Sequence, residues 1–172
     1  KASVDMALKV DSIVCGDETI TLLLTEDLDG VVSIQIAGKT YTATIRDKEA
    51  TFNVSGLDAD SYELIAVYNG NDNYREVTTN LTLTVEKLNV NVDLTVDNFT
   101  YSNTETLEFD VDADITGQIR LDIGDKSYYS YVNSRKVIFN VTDLDAGNYK
   151  AVLVYEGNNN TYISQTIYNF TI

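Results

Sequence analysis

The segments GLDADSYELIAVYNGNDNY (56–74) and DLDAGNYKAVLVYEGNNNTY (143–162) state one pattern twice, at an offset of 87 residues. Leu57 meets Leu144, Tyr62 meets Tyr149, Tyr68 meets Tyr155 and Gly70 meets Gly157. Upstream, Gly30, Lys39, Tyr41, Phe52 and Val54 meet Gly117, Lys126, Tyr128, Phe139 and Val141. Near the start a one-residue slip shortens the offset to 86 and pairs Val4, Met6, Leu8 and Val10 with Val90, Val92, Leu94 and Val96. Solenoid units repeat every 20 to 50 residues or so, and a longer period is a whole domain. A chain of 172 residues has room for two small domains. The duplication puts them at 1–86 and 87–172.

Each copy is written in period two. SVDMALKV, TITLLL, VVSIQIA, ATFNV, SYELIAVY and NLTLTV in the first copy are apolar at alternate positions. NVNVDLTV, TLEFDV, QIRLDI, VIFNV, NYKAVLVY and YNFTI follow suit in the second. Alternation of this kind is the mark of a strand with one buried face. Thr, Val, Ile and Tyr dominate these runs, and branched or aromatic side chains suit a pleated sheet. No segment carries a helical stripe. Short strands separated by Asp, Asn and Gly, about seven per copy, indicate an all-β chain of two tandem β-sandwiches.

DAGNY at 145–149 fits the D-x-G-x-Y signature that leads into strand F of an immunoglobulin-like sandwich. Tyr149, and Tyr62 in the first copy, are then the structural tyrosine corners, each hydroxyl bonding back to upstream backbone. NGNDN and EGNNN have the Asn and Gly of a hairpin turn. This phasing points Leu64, Ala66 and Tyr68, and Ala151, Leu153 and Tyr155, into the cores. No Cys pair links the sheets and no Trp packs between them. In this the chain resembles the bacterial and archaeal immunoglobulin-like repeats of large surface proteins, adhesin-like proteins of methanogens among them. Those repeats share the phrases found here at Leu57–Tyr62 with Tyr68–Tyr74, and at Leu144–Tyr149 with Tyr155–Tyr162.

Composition removes several functions. Twelve basic against 27 acidic residues leave a net charge of −15, which opposes binding to nucleic acid or to an anionic membrane surface. No apolar run approaches the roughly 20 residues of a membrane helix, and KASVDMALKV is not a signal peptide. The chain starts and stops inside periodic segments, as an excerpt from a longer polypeptide would. Without His there is no imidazole base and no His-ligated metal. Cys15 stands alone and matches Tyr101 in the second copy, so it reads as a packing residue. Ser without His builds no usual triad, and no Gly-rich phosphate loop occurs. No enzyme and no cofactor are expected.

Three groups of residues are candidate sites. N-x-[S/T] sequons occur at Asn53, Asn80, Asn98, Asn140, Asn159 and Asn169, against roughly three by chance. Asn53, Asn80, Asn140 and Asn169 fall on the outward phase of their strands, where a glycan need not be buried. Acidic clusters come second: Asp112 and Asp114 after one strand, Glu26, Asp27 and Asp29 at the matching loop, and Asp58 with Asp60 before strand F. Carboxylates from both copies meeting at the junction would suit Ca²⁺, an oxygen-seeking ion. Third, Ile65, Val67, Val152 and Val154 lie on the outward phase yet are apolar, as in a partner face.

These readings converge on a non-enzymatic structural module. Glu86 to Asn89 make a short junction without Pro or a Gly/Ser run, which favours a semi-rigid spacer. The family resemblance implies an extracellular, cell-surface setting, in which such a spacer presents a distal binding region. It also implies neighbouring repeats of the same polypeptide, and surface glycans or proteins of another cell, as partners. The alternative is a carbohydrate- or calcium-binding module acting through its loops or the inter-domain junction.

Overall fold

The computed structural model describes residues 1–3, 8–17, 19–25, 27–94, 101 and 104–172, with Leu8 by its backbone alone. Val4, Met6 and Val96 of the repeat lie outside the described residues. The chain is all β and divides into two compact units, Lys1–Leu88 and Asn89–Ile172. Each unit has its own apolar core, and the two cores share no residue.

Unit 1 contains β1 (Leu8–Val10), β2 (Ile13–Val14), β3 (Thr19–Leu24), β4 (Val31–Ile36), β5 (Lys39–Thr44), β6 (Glu49–Asn53), β7 (Ser61–Tyr68) and β8 (Val77–Glu86). They form a three-stranded sheet, β1-β3-β6, and a five-stranded sheet, β2-β8-β7-β4-β5. Alternation supplies the core directly: Ile20, Leu22 and Leu24 from β3, Val32, Ile34 and Ile36 from β4, Phe52 from β6, and Leu64, Ala66 and Tyr68 from β7. The Tyr68 ring is fully buried and its hydroxyl donates to the Asp29 carbonyl at 3.0 Å, so the core holds no orphaned donor. Neighbouring strands run antiparallel except β2, which pairs in parallel with β8.

Unit 2 contains β9 (Val92–Leu94), β10 (Thr104–Val111), β11 (Gln118–Ile123), β12 (Lys126–Tyr131), β13 (Lys136–Thr142), β14 (Asn148–Tyr155) and β15 (Ser164–Thr171). Its sheets are β13-β10-β9 and β12-β11-β14-β15. This core is more aromatic. Phe109 meets Phe139 edge-on at 5.8 Å and Tyr168 at 5.4 Å, and Tyr149 stacks on Phe170 at 5.6 Å. The Tyr168 hydroxyl donates to the Val92 carbonyl and ties the last strand to the first.

Strands β5 and β12 connect to β6 and β13 through two-residue turns, Asp47–Lys48 and Ser134–Arg135, all four with positive φ, as a tight hairpin requires. Three strands are not evident from apolar alternation. β2 spans two residues, too few for a period, and in β5 (KTYTAT) and β12 (KSYYSY) the inward positions are half-buried Tyr and small residues.

Burial pushes the hydroxyls of Tyr68, Tyr128 and Tyr168 above their ordinary 10.0, with Asp29 and Tyr74 adding to the effect on Tyr68. A raised folded-state value favours the fold fully below the unfolded value, and that share is lost as pH rises through it. The tyrosines' share of stability is therefore expected to be fully present up to about pH 9. It should fall above about pH 10. A thermal melt series against pH checks this, and a melting temperature that rises above pH 10 would contradict it.

Candidate functional site

Strand F of each sandwich is anchored by its first tyrosine. Tyr62, half-buried on β7, donates from its hydroxyl to the Asp58 carbonyl at 3.0 Å. Tyr149, half-buried on β14, donates to the Asp145 carbonyl at 2.7 Å. Each bond fastens the incoming loop to the strand it feeds. Tyr62→Phe and Tyr149→Phe should each lower the stability of their own unit by about 1 kcal/mol, the net worth of one such bond. Urea titration of either variant reads that loss.

The loop after strand F is built around an asparagine. The Asn71 Oδ1 accepts from the backbone N–H of Asn73 (2.8 Å) and Tyr74 (2.9 Å). The Asn158 Oδ1 does the same for Asn160 (2.8 Å) and Thr161 (3.0 Å). Thr161, not Tyr162, thus takes the place of Tyr74, while Tyr162 stands where the first copy has Arg75 and is exposed. Thr161 also shares a hydrogen bond with the Tyr155 hydroxyl at 2.9 Å.

Two of the candidate aspartates, Asp60 and Asp112, are hydrogen-bonded within their own units. Asp58 and Asp60 precede β7 in unit 1, where the Asp60 carboxylate accepts from the Ser61 N–H at 2.7 Å. Asp112 and Asp114 follow β10 in unit 2. There the Asp112 carboxylate takes both the backbone N–H (2.9 Å) and the side-chain amide (2.7 Å) of Asn91. Among the described residues no group of three or more His, Cys, Asp or Glu is placed to hold a metal ion. The four aspartates of the expected junction site are divided between the units, two in each. Glu26 lies outside the described residues.

The sequons divide between the sheets. Asn53 on β6 and Asn140 on β13 are exposed on the outer faces of the three-stranded sheets. Asn80 on β8 and Asn169 on β15 are exposed on the larger sheets, and Asn159 is exposed in the β14–β15 loop. Ser55, Thr82, Thr142 and Thr171, two residues on from their asparagines, are exposed as well, because side chains two apart on a strand share a face. Asn98 lies outside the described residues.

The outward apolar row is not an exposed patch. Ile65, Val67 and Val152 are half-buried, and Val154 is only 5% exposed. The cause is their place on interior strands. Val154 sits in register between Arg120 and Gln165, and Val152 between Asp122 and Ile167. Ile65 is flanked by Gln35 and Asn80, and Val67 by Ser33 and Thr78. Val154, the most buried of the four, is the one flanked by two long side chains, Arg120 and Gln165.

Exposure lies instead on the edge strand of the same sheet, where sequence reasoning marked nothing. Tyr129 and Tyr131 on β12 are 59% and 69% exposed. Arg120, across the strand pair from Tyr129, bonds through Nε to Asp122 at 3.0 Å and through Nη1 to Glu156 at 3.1 Å. The bond and charge of Asp122 hold its guanidinium above its ordinary pKa, with Glu156 adding to the effect. The Ser127 hydroxyl donates to the other Asp122 oxygen at 2.6 Å. A signal for this cluster exists in the repeat: KSYYSY replaces KTYTAT, so Tyr129 and Tyr131 stand where the first copy has Thr42 and Thr44.

Open surface grooves lie among the described residues of unit 1. One of about 510 Å³ runs along Thr42, Thr44, Arg46, Asp47, Glu49 and Thr51. Another, of about 300 Å³, lies by Gln35, Lys39, Glu63 and Ile65. Both are lined mainly by strand and turn residues.

No family model matches the chain, and neither does any curated protein. Among solved structures it is similar to the fibronectin(III)-like modules of Clostridium thermocellum CbhA, at 13% identity over 96% of this chain and 93% of that one, with a TM-score of 0.41. It is also similar to the titin domains Z1Z2 in complex with telethonin, at 12% identity over 98% and 94%, TM-score 0.46. A third similarity is to titin A168–A169, at 14% identity over 97% and 96%, TM-score 0.39. These likenesses concern the fold.

Proposed function

We propose that the chain is a structural and adhesive repeat module of an extracellular, adhesin-like surface protein, without enzymatic activity. Together with neighbouring repeats of the same polypeptide it spaces a distal binding region from the cell. The observation that supports this reading is how unit 1 is closed. β2, near the start of the chain, lies parallel to β8, the last strand of the unit, with Ile13 beside Val85 and Val14 beside Glu86. The Cys15 N–H donates to the Glu86 carbonyl at 2.7 Å. Tension along the chain pulls these two strands in opposite directions. Their hydrogen bonds then lie across the load and must shear together instead of opening one at a time. A net charge of −15 keeps neighbouring copies apart on a crowded surface, and the outward sequons give sites for glycans.

Single-molecule pulling on the full chain tests this. Two unfolding events are expected, each lengthening the chain by about 25–30 nm, from an extended span of about 3.5 Å per residue. Cys15→Pro removes the donor to Glu86 and should lower the force of one event, whereas Cys15→Ala keeps the donor and should leave it high. A single merged event, or a force indifferent to Cys15→Pro, would overturn the load-bearing role.

A further inference from the structure

The two copies keep apolar residues at the inward positions of the larger sheet and diverge in character on its outer face. By strand register, Ser33, Gln35, Thr42, Thr44 and Asn80 of unit 1 correspond to Arg120, Asp122, Tyr129, Tyr131 and Ile167 of unit 2. Nothing in the packing of unit 2 requires the change, since both tyrosine rings are more than half exposed. We propose that this face binds a neutral saccharide, with Tyr129 and Tyr131 as a stacking platform and the Asp122–Arg120–Glu156 row as the group that binds its hydroxyls.

The chemistry follows from what the face presents. An aromatic ring has a negative face, which attracts the polarised C–H groups on one side of a pyranose. Tyrosine offers that surface with little side-chain entropy to lose. Residues two apart on a strand are about 7 Å apart, close enough for one extended sugar chain to lie over both rings. Beside them, two ion pairs hold the Arg120 guanidinium and its carboxylates in place, so their donors and acceptors are already oriented for hydroxyl pairs.

Charge selects among occupants. Asp122 and Glu156 lie on the face with Arg120, in a chain of net charge −15, so an acidic glycan is repelled. A basic protein would need carboxylates that Arg120 already engages. A neutral, hydroxyl-rich ligand meets neither obstacle. This inference goes beyond the load-bearing role and does not depend on it.

Native affinity electrophoresis of the full chain tests the proposal, in gels containing β-glucan, xylan, galactomannan or, as the anionic probe, polygalacturonate. Retardation by at least one neutral polysaccharide is expected. It should weaken at least tenfold in Tyr129→Thr/Tyr131→Thr, which installs the residues of the first copy, and persist in Thr42→Ala/Thr44→Ala. If the double variant does not melt cooperatively, Tyr131→Thr alone serves, with a partial loss expected. Four results would overturn the proposal: no retardation in any neutral gel; equal retardation of the tyrosine variant; retardation by polygalacturonate alone; or a concentration-dependent dimer in sedimentation that the tyrosine variant abolishes, which would make a second copy the occupant.

Discussion

Phe139→Ala should unfold unit 2 at a much lower temperature while leaving unit 1 where it was. Phe139 is 2% exposed and meets Phe109 edge-on at 5.8 Å at the centre of the second core. Truncating a buried phenylalanine costs about 3–5 kcal/mol, because apolar contact is lost and the cavity collapses only in part. A domain of this size has about 5–10 kcal/mol in total, so about a third or more of its stability goes. For such a domain the shift is on the order of 15–30 °C. Unit 1 is spared because no residue belongs to both cores. Phe52→Ala, at the matching position of the first core, should have the mirror effect. Calorimetry of the two variants reads both: one transition moves in each, and a different one.

Gly70→Ala and Gly157→Ala should be nearly as damaging, for a different reason. Both glycines have positive φ, 75° and 72°, where a Cβ costs about 1–2 kcal/mol. Here the new atom would also fall 2.8 Å from the carbonyl oxygen of Tyr74 or of Thr161, and 2.9 Å from the backbone that follows. Backbone cannot rotate aside as a side-chain tip can, so the asparagine-built loop must shift and lose its turn bonds. The total is expected at about 2–4 kcal/mol. Gly38→Ala is the control, since its φ is 74° and nothing lies within 4 Å of the added atom. Denaturant titration should place Gly38→Ala near 1 kcal/mol and the other two well beyond it. Equal losses at Gly38 and Gly70 would show that the loop yields freely.

Much of the fold could be read from the residues because burial and period two act together. Leu64, Ala66 and Tyr68 alternate with Ile65 and Val67, and only one phase can face a core. The repeat then doubled every such inference, as Phe52 and Phe139 show. Edge strands were harder to see. In β5 and β12, small or half-buried inward residues blur the alternation, and register appears only once their partners are known. Tyr129 and Tyr131 are hidden in the sequence for the same reason: in YYSY, Tyr128 turns inward and its neighbours outward, and composition cannot say which. The acidic clusters show the opposite limit. Spacing puts carboxylates near one another, but it does not reveal that Asn91 takes both oxygens of Asp112. Val154 teaches the same point, since its phase is outward yet it is buried, flanked by Arg120 and Gln165.

The claim beneath all of these is that each repeat is a complete sandwich with its own core. Expressing residues 89–172 alone and overlaying its amide NMR spectrum on that of the full chain tests it most directly. Superposition of the resonances away from the cut is predicted, with the same slow exchange in β10, β11 and β14. A collapsed, poorly dispersed spectrum from the isolated half would contradict it.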